Sequence, residues 1–109
     1  MSSESNLRFV LLESPFSGNQ ELNKQYAIEA MRDSLKRGEA PFASHLLYTQ
    51  ALDDTIPEER TMGIEAGLEI GKYAVATVVY VDLGISLGMK LGIHRAINQN
   101  RPIEFRRIR

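Results

Sequence analysis

The chain has 109 residues, of which 43% are hydrophobic and 25% charged, and this composition is typical of one folded domain with a single core. Its net charge of −1 gives no general attraction to nucleic acid, and the absence of cysteine excludes disulfides, thiolate metal sites and a cysteine nucleophile. No apolar run approaches the roughly 20 residues of a membrane helix, and the opening MSSESN lacks the basic and apolar regions of a signal peptide, so we expect a cytoplasmic location and no membrane partner.

The first third of the chain has the pattern of a strand, a turn and a helix. The apolar run LRFVLL predicts a buried strand that ends at Glu13-Ser14-Pro15, and SPFSGNQ has the composition of a tight turn. From Gln20 onward apolar residues recur at helical spacing. Gly38, which follows two basic residues, is a typical helix stop.

The middle of the chain is less regular. APFAS predicts a strand of only a few residues because it contains Pro41, and HLLYTQALDDTI predicts an ordered loop with one helical turn. A helix is then predicted from Pro57 to about Lys72. Its glycine stripe, Gly63-Gly67-Gly71, costs roughly 1 kcal/mol per residue relative to alanine. We expect close approach of another backbone to offset this cost, either within the chain's own fold or across a subunit interface.

The last third contains the clearest strand, AVATVVYV, which is expected to be central and buried on both faces. An amphipathic helix follows, with Ile85, Met89, Ile93 and Ile97 spaced four residues apart, and RPIEFRRI predicts a final edge strand that is apolar at Ile103 and Phe105. The order β-α-β-α-β-α-β predicts a single α/β domain over residues 1–109, Rossmann-like or flavodoxin-like, with three layers and four to five parallel strands.

Two loops of this predicted fold have the composition of a ligand site. The first contains Ser14, Pro15, Phe16, Ser17 and Gly18, and the second contains Asp82, Gly84 and Ser86. Because the carboxyl ends of parallel strands meet at one edge, both loops are expected there, where helix N-termini favour phosphate or sugar oxygens. The alternative interpretation is that both are only turns. Residues of the following helices complete the predicted site: Asn23, Met89 and Lys90.

Other candidate residues carry two open interpretations each. Asp82 is either an acceptor for ribose hydroxyls or base nitrogens, or the cap of the helix behind it. His45 is either a site residue near the carboxyl edge or structural, and Arg60 is either a phosphate partner or a surface residue. Glu65 points either to the cleft or to solvent. No metal site is predicted, because the two histidines are isolated.

The basic tail RPIEFRRIR raises nucleic-acid binding as a minor possibility. Its positive charge is concentrated in four arginines: Arg101, Arg106, Arg107 and Arg109. The tail has few interleaved aromatic residues, and the rest of the chain offsets its charge. We therefore regard nucleic acid as an unlikely partner.

Motifs at both ends of the chain resemble a known family. FVLLESPFSG resembles the opening of the nucleoside 2-deoxyribosyltransferase-like superfamily, whose first strand runs into a Ser-Pro-Phe or Gly-Pro-Phe turn. VVYVDLGISLGMKLGIHRAINQNRPIEF is similar to the closing half of that superfamily, and SHLLYTQ and PEER are shared with its small bacterial and phage members. The resemblance implies a nucleotide-type ligand and sites built between subunits, hence a homo-oligomer.

The resemblance also implies a difference in chemistry. In the transferases a glutamate in a GMELG-like segment attacks the anomeric carbon, and matching GMKLG to that segment puts Lys90 in its place. An ammonium group can neither replace that nucleophile nor stabilise a cationic sugar. We therefore predict non-catalytic binding of a small phosphorylated nucleoside, a nucleotide or a cyclic ADP-ribose-like ligand, without a cofactor. A phage-type sponge that sequesters an immune signalling nucleotide is one form of this function. The alternative is an N-glycosidase or deoxyribosyltransferase in which Asp82 or Glu65 supplies the carboxylate.

Overall fold

The computed structural model describes residues 7–109, and its centre is a four-stranded, fully parallel sheet in the order β2-β1-β3-β4. Residues 1–6, on which the signal-peptide prediction rests, lie outside the described part. The predicted Rossmann-like α/β class is confirmed. The strands are β1 (Arg8–Glu13), β2 (Glu39–Phe42), β3 (Ala76–Tyr80) and β4 (Ile103–Arg106).

Helices connect the strands and cover both faces of the sheet. They are α1 (Gln20–Lys36), the short α2 (Ser44–Leu47), α3 (Pro57–Gly71) and α4 (Leu87–Asn98), with a 3-10 turn at Tyr48–Gln50. Right-handed crossovers place α1 on one face and both α3 and α4 on the other. The two long helices predicted from Gln20 and Pro57 are thus confirmed.

Strand β1 shows how its alternating side chains divide between the two faces. Val10 and Leu12 are buried in the core cluster with Tyr26 and Ala30 of α1. Leu11 lies on the opposite face, where it contacts α3 at Gly71. Because side chains alternate along a strand, Glu13 shares the face of Leu11 and points toward α3 and α4.

The buried face of α4 differs from the predicted isoleucine stripe. Of the residues at four-residue spacing only Met89 is fully buried, whereas Ile85 and Ile97 are exposed. The buried positions are Met89, Gly92 and Ala96. Small residues at Gly92 and Ala96 let the helix backbone approach the sheet, and a pattern based on hydrophobicity does not register glycine as a contact residue.

Strand β4 also buries an unexpected residue. Phe105 is exposed, but the neighbouring Arg106 has only 7% of its surface accessible. The guanidinium of Arg106 is buried because it forms a two-pronged hydrogen-bonded pair with the carboxylate of Glu39. An arginine in a charged tail therefore occupies an inward position that the sequence pattern assigns to apolar residues.

The glycine stripe of α3 packs within the chain itself. Gly63 faces Leu52 and Tyr48, and Gly67 faces Ser44, so both contact the segment that follows β2. Gly71 faces Leu11 of the sheet together with two polar side chains. Only at Gly71 would an added Cβ be tight, 3.1 Å from Leu11, and the neighbours of all three glycines are side chains; the predicted close approach of another backbone is not seen within the described chain, and an approach across a subunit interface stays a prediction.

The strand order creates a switch point between the carboxyl ends of β1 and β3. From β1 the chain moves outward to β2, then crosses back over β1 to β3 and continues to β4. Ligands of open α/β sheets bind in the crevice at such a point. Within residues 7–109 no helix is long and apolar enough to cross a membrane, and no cluster of His, Asp and Glu suits a metal ion.

Candidate ligand-binding site

A cleft of about 190 Å³ opens at the carboxyl edge of the sheet on the α3 and α4 side. Segments that follow three strands form it: Phe16 comes after β1, Ser44 and His45 after β2, and Leu91 from the helix after β3. The N-terminal half of α3 closes the remaining side. The cleft therefore lies where the topology predicts a ligand.

The lining of the cleft is largely apolar, with charges at specific points. Its apolar residues are Phe16, Tyr48, Leu52, Ile64 and Leu91. Two cations, Arg60 and Arg95, also line it, and neither forms an ion pair with any residue of the described part of the chain. Of the acidic residues in the lining, Glu59 accepts a hydrogen bond of 2.6 Å from the amide of Asp53.

The loop after β1 is joined to α2 by a partly buried pair of polar side chains. Ser14 Oγ and His45 Nε2 are 3.0 Å apart, and the Phe16 ring meets the imidazole edge-on at 6.2 Å. Burial lowers the pKa of His45 to about 4, so the ring is neutral at neutral pH. Within residues 7–109 no carboxylate bonds its Nδ1, so the pair lacks the third member of a catalytic triad.

The same loop is fixed from α1. The Asn23 side-chain amide donates to the carbonyl oxygens of Phe16 and Ser17, at 3.2 and 2.7 Å. Asn19 caps α1 by accepting from the Leu22 amide at 3.1 Å, and Gly18 supplies the positive φ of +96° that the turn requires. Of the predicted binding residues, Asn23 and Gly18 thus shape the loop.

A second, more polar hollow adjoins the cleft. Its volume is about 330 Å³, and it shares Phe16 and His45 with the cleft as a common wall. Pro15, Asn23 and the cation Lys24 line its other side. Predicted residues from the first loop and α2 are therefore brought together around two adjoining spaces.

The sequence pattern missed Glu13, the last residue of β1. Its carboxylate lies directly beneath Gly92 of α4, beside a space of about 30 Å³. Burial raises its pKa to about 7, although the nearby Arg95 and Arg101 oppose the shift. The one sequence signal for Glu13 is that a glutamate ends an apolar run. The sequence pattern assigns this residue to the loop after the strand, so it does not predict that the side chain is enclosed.

Asp82, in the second predicted loop, stabilises the fold and does not line the cleft. The Asp82 carboxylate accepts hydrogen bonds from the Tyr26 hydroxyl at 2.5 Å and from the amides of Ile108 and Arg109, each at 3.0 Å. Burial acts to raise the pKa of Asp82, but these hydrogen bonds outweigh it and hold the pKa below its usual value. Asp82 therefore joins α1 to the end of the chain, and it lines none of the pockets described above.

Ser86 takes the capping role that the sequence offered to Asp82. Its hydroxyl accepts from the Met89 amide at 3.2 Å, and the buried Met89 side chain closes the cap. Gly84 supplies a positive φ of +89° in the turn before it. Gly84, Ser86 and Met89 thus begin α4, while the cleft is lined further along the helix.

The lysine at the predicted nucleophile position lies outside the cleft. Lys90 is exposed, and the pocket-lining positions of α4 are Gly88, Leu91 and Arg95. Glu65 of α3 is also exposed and lines none of the described pockets. Arg60 is the one charged residue of the sequence-based site that lies on the cleft wall.

The arginines of the basic tail are largely occupied within the chain. Arg101 donates to Thr77, to the carbonyl oxygen of Gly71 and to Gln99. Arg106 is paired with Glu39, and Arg109 forms an exposed ion pair of 2.8 Å with Glu29. Three of the four arginines that suggested a nucleic-acid surface therefore have structural partners.

Comparison with known proteins identifies the family to which the chain belongs. A search of curated proteins finds no match to the chain. Residues 8–106 match the family described as a domain of unknown function, DUF7768, and the match runs from the start of β1 to the end of β4. The chain therefore belongs to the DUF7768 family.

Proposed function

We propose that the protein binds a nucleotide or a cyclic ADP-ribose-like ligand in the cleft without turning it over. One observation carries the proposal: two arginines without ion-pair partners in the described part of the chain line a largely apolar cleft, whose lining also includes the acidic residues Asp54 and Glu59. Unpaired guanidinium groups in such a setting favour a phosphate, which they bind through paired N–H donors. The apolar walls favour a flat ring.

The dimensions support a ligand with more than one part. The cleft alone, about 190 Å³, is smaller than the roughly 300–1,000 Å³ of most ligand pockets. The adjoining polar hollow extends it past Phe16 and His45 toward Lys24. We therefore propose that the ring lies against Phe16 and Tyr48, that Arg60 and Arg95 hold one phosphate, and that the polar remainder extends into the hollow.

The placement of the carboxylates favours binding over chemistry at the predicted positions. Asp82 is occupied by α1 and the chain end, and Glu65 and Lys90 lie outside the described pockets. An N-glycosidase or deoxyribosyltransferase that uses Asp82 or Glu65 therefore has less support than a binder. The resemblance to the nucleoside 2-deoxyribosyltransferase-like superfamily supports the ligand class.

The oligomer and the biological role are part of the same proposal. Leu83, Ile85 and Leu87 are exposed at the start of α4, close to the cleft-lining Gly88 and Leu91. These residues suit burial by a second copy of the chain beside the cleft. Sequestration of an immune signalling nucleotide, as by a phage sponge, is the role we propose for such binding.

Native mass spectrometry of the protein purified from a cell extract, with heat release of bound compounds, tests the proposal. We expect an intact phosphorylated nucleoside or cyclic ADP-ribose-like compound in a fixed ratio to subunits, and its loss from the Arg60→Ala/Arg95→Ala variant. Arg107→Ala is the matched control and should retain the ligand. Recovery of a free base or sugar phosphate would instead support the enzyme, and failure of added nucleotides to bind would refute the proposal.

A further inference from the structure

Glu13 is a charged side chain that the fold leaves without a partner. It lies largely beneath α4, and its carboxylate makes no hydrogen bond and no ion pair within 4.0 Å to any residue from 7 to 109. Glu13 keeps part of its surface accessible, so a partner from outside the chain can supply the hydrogen bond that the fold does not. A packing role for this residue would be served as well by an apolar side chain.

The charged groups around Glu13 do not neutralise it by contact. Arg101 approaches from the loop after α4, but its guanidinium donates to Thr77, Gly71 and Gln99. Arg95 approaches from α4 and lines both the cleft and the space beside Glu13. Both arginines act on Glu13 only through space. From α2, the nearest titratable group is His45, which is bonded to Ser14.

The space beside the carboxylate is a neighbour of the cleft. It measures about 30 Å³, enough for one water-sized group, and Ser44, Gly67 and Arg95 line both this space and the cleft. Gly67 places no side chain in this shared wall. The shared wall is therefore the route by which a small substituent on a ring in the cleft would approach Glu13.

We propose that Glu13 receives an exocyclic amino group of the ligand's base and so selects amino-bearing bases over their oxo counterparts. This inference rests on the proposed nucleotide-binding function. An ionised carboxylate only accepts hydrogen bonds, so it pairs with an N–H donor and opposes an oxo oxygen. Discrimination of this kind is strong because the wrong ligand leaves a buried acceptor unpaired.

The selection depends on the ionisation of Glu13. Above neutral pH the carboxylate accepts from an amino group, and below it the protonated acid donates to an oxo oxygen equally well. Between pH 6 and pH 8 His45 stays neutral, because burial lowers its pKa to about 4. The ligand phosphate titrates alike in matched nucleotides, so its effect cancels in their affinity ratio.

Isothermal titration calorimetry with two matched pairs tests the inference: adenosine against inosine 5′-monophosphate, and cytidine against uridine 5′-monophosphate. For whichever pair fits the cleft, we expect the amino nucleotide to bind at least about tenfold more tightly at pH 8. The ratio should fall toward one at pH 6. In Glu13→Gln it should be near one at both pH values, because an amide both donates and accepts. Glu65→Gln, an exposed glutamate outside the pockets, is the control and should keep the wild-type ratios.

The outcomes separate the two proposals. Equal affinities within each pair at pH 8, or a preference that Glu13→Gln retains, would overturn the role of Glu13 while leaving nucleotide binding intact. Binding of none of the four nucleotides, together with no ligand in the native mass spectrum, would overturn both. The pH dependence of the wild-type ratio needs no variant, so the test remains decisive even if Glu13→Gln folds poorly.

Discussion

Two largely enclosed glutamates, one on each face of the sheet, differ in their partners: Glu39 is hydrogen-bonded within the fold and Glu13 is not. Glu39 meets Arg106 through two hydrogen bonds of 2.7 and 2.6 Å, and it also accepts from Ser34 at 2.8 Å. These bonds, led by that from Arg106, hold the pKa of Glu39 below its usual value. Glu13 has no such partner, and burial raises its pKa to about 7.

This difference in partners indicates a structural role for Glu39 and makes Glu13 a candidate functional residue. Breaking the Glu39 pair leaves the buried Arg106 with only Glu104 as a carboxylate partner, at 2.7 Å, so the fold depends strongly on Glu39. Ionised Glu13 instead costs folding free energy, and the fold gains no contact in return. An unpaired charge beside a cleft is typical of a binding or catalytic residue.

Removing the paired carboxylate should cost the most stability. We expect Glu39→Ala to lower the free energy of unfolding by up to about 3–5 kcal/mol, because the buried guanidinium of Arg106 loses two hydrogen bonds and keeps only the partly exposed Glu104 as a carboxylate partner. Urea unfolding at neutral pH measures the change. Glu29→Ala, which breaks the half-exposed pair with Arg109, is the control and should cost less than about 1 kcal/mol. Similar losses for both variants would contradict the structural role of the Glu39 pair.

Removing the unpaired charge should instead stabilise the protein in a pH-dependent way. The folded state holds the Glu13 proton up to about pH 7, whereas the unfolded chain releases it near 4.5. Stability of the wild type is therefore lost as pH rises through this window, and the loss is complete above it. We expect Glu13→Gln to raise the free energy of unfolding by up to about 3 kcal/mol at pH 8, with little gain at pH 4.5.

Because His45 also makes the stability depend on pH, the effect of Glu13 must be measured as the difference between the wild type and Glu13→Gln. Its folded pKa, about 4, is lower than its ordinary value of 6.5, so its contribution to stability is lost as pH falls through that range. The wild-type profile combines this trend with the opposite trend from Glu13. The difference between wild type and Glu13→Gln isolates Glu13, and a difference that does not change with pH would refute its raised pKa.

A smaller effect should come from Gly92, which makes room for the Glu13 carboxylate. A Cβ built at this position meets both carboxylate oxygens, which must move, and because they end a flexible side chain we expect Gly92→Ala to cost about 1 kcal/mol in thermal or urea unfolding. Gly88→Ala is the matched control on the same helix, because its Cβ meets only Ser86 Oγ at 4.0 Å. It should be neutral or stabilising.

The double variant Gly92→Ala/Glu13→Ala tests whether the cost of Gly92→Ala comes from its contact with Glu13. Truncating Glu13 removes the atoms that the new methyl group meets, so the cost of Gly92→Ala should largely disappear in that background. Persistence of the full cost would show that α4 meets the sheet at Gly92 in some other way.

Much of the fold could be predicted from the sequence, because hydrophobic periodicity determines element type. The strand AVATVVYV and the helices beginning at Gln20 and Pro57 have clear periods, and their order implies the parallel sheet. The buried face of α4 was mispredicted because Gly92 is a contact residue without hydrophobicity. Arg106 was mispredicted as a tail charge because its partner Glu39 is 67 residues away.

The site could be predicted only in part for a related physical reason. Ser14, Phe16 and His45 follow strand ends, so topology alone brings them to the carboxyl edge. Whether a side chain at that edge faces α1 or α4 depends on the strand register, and the register could not be predicted from the sequence. Glu13 ends β1 and Asp82 lies in the turn after β3, yet Asp82 contacts Tyr26 of α1 while Glu13 lies beneath α4.

The glycine stripe of α3 has a consequence for motion. Gly71 is the one fully buried residue that α3 contributes in the described structure, and each helical glycine weakens the helix by about 1 kcal/mol. Segments with few buried contacts open locally at a lower free energy than the core. In hydrogen exchange, the amides of α3 should therefore lose protection well before those of β1 and β3. The wall of the cleft can then adapt to an incoming molecule while the sheet that carries Glu13 stays rigid.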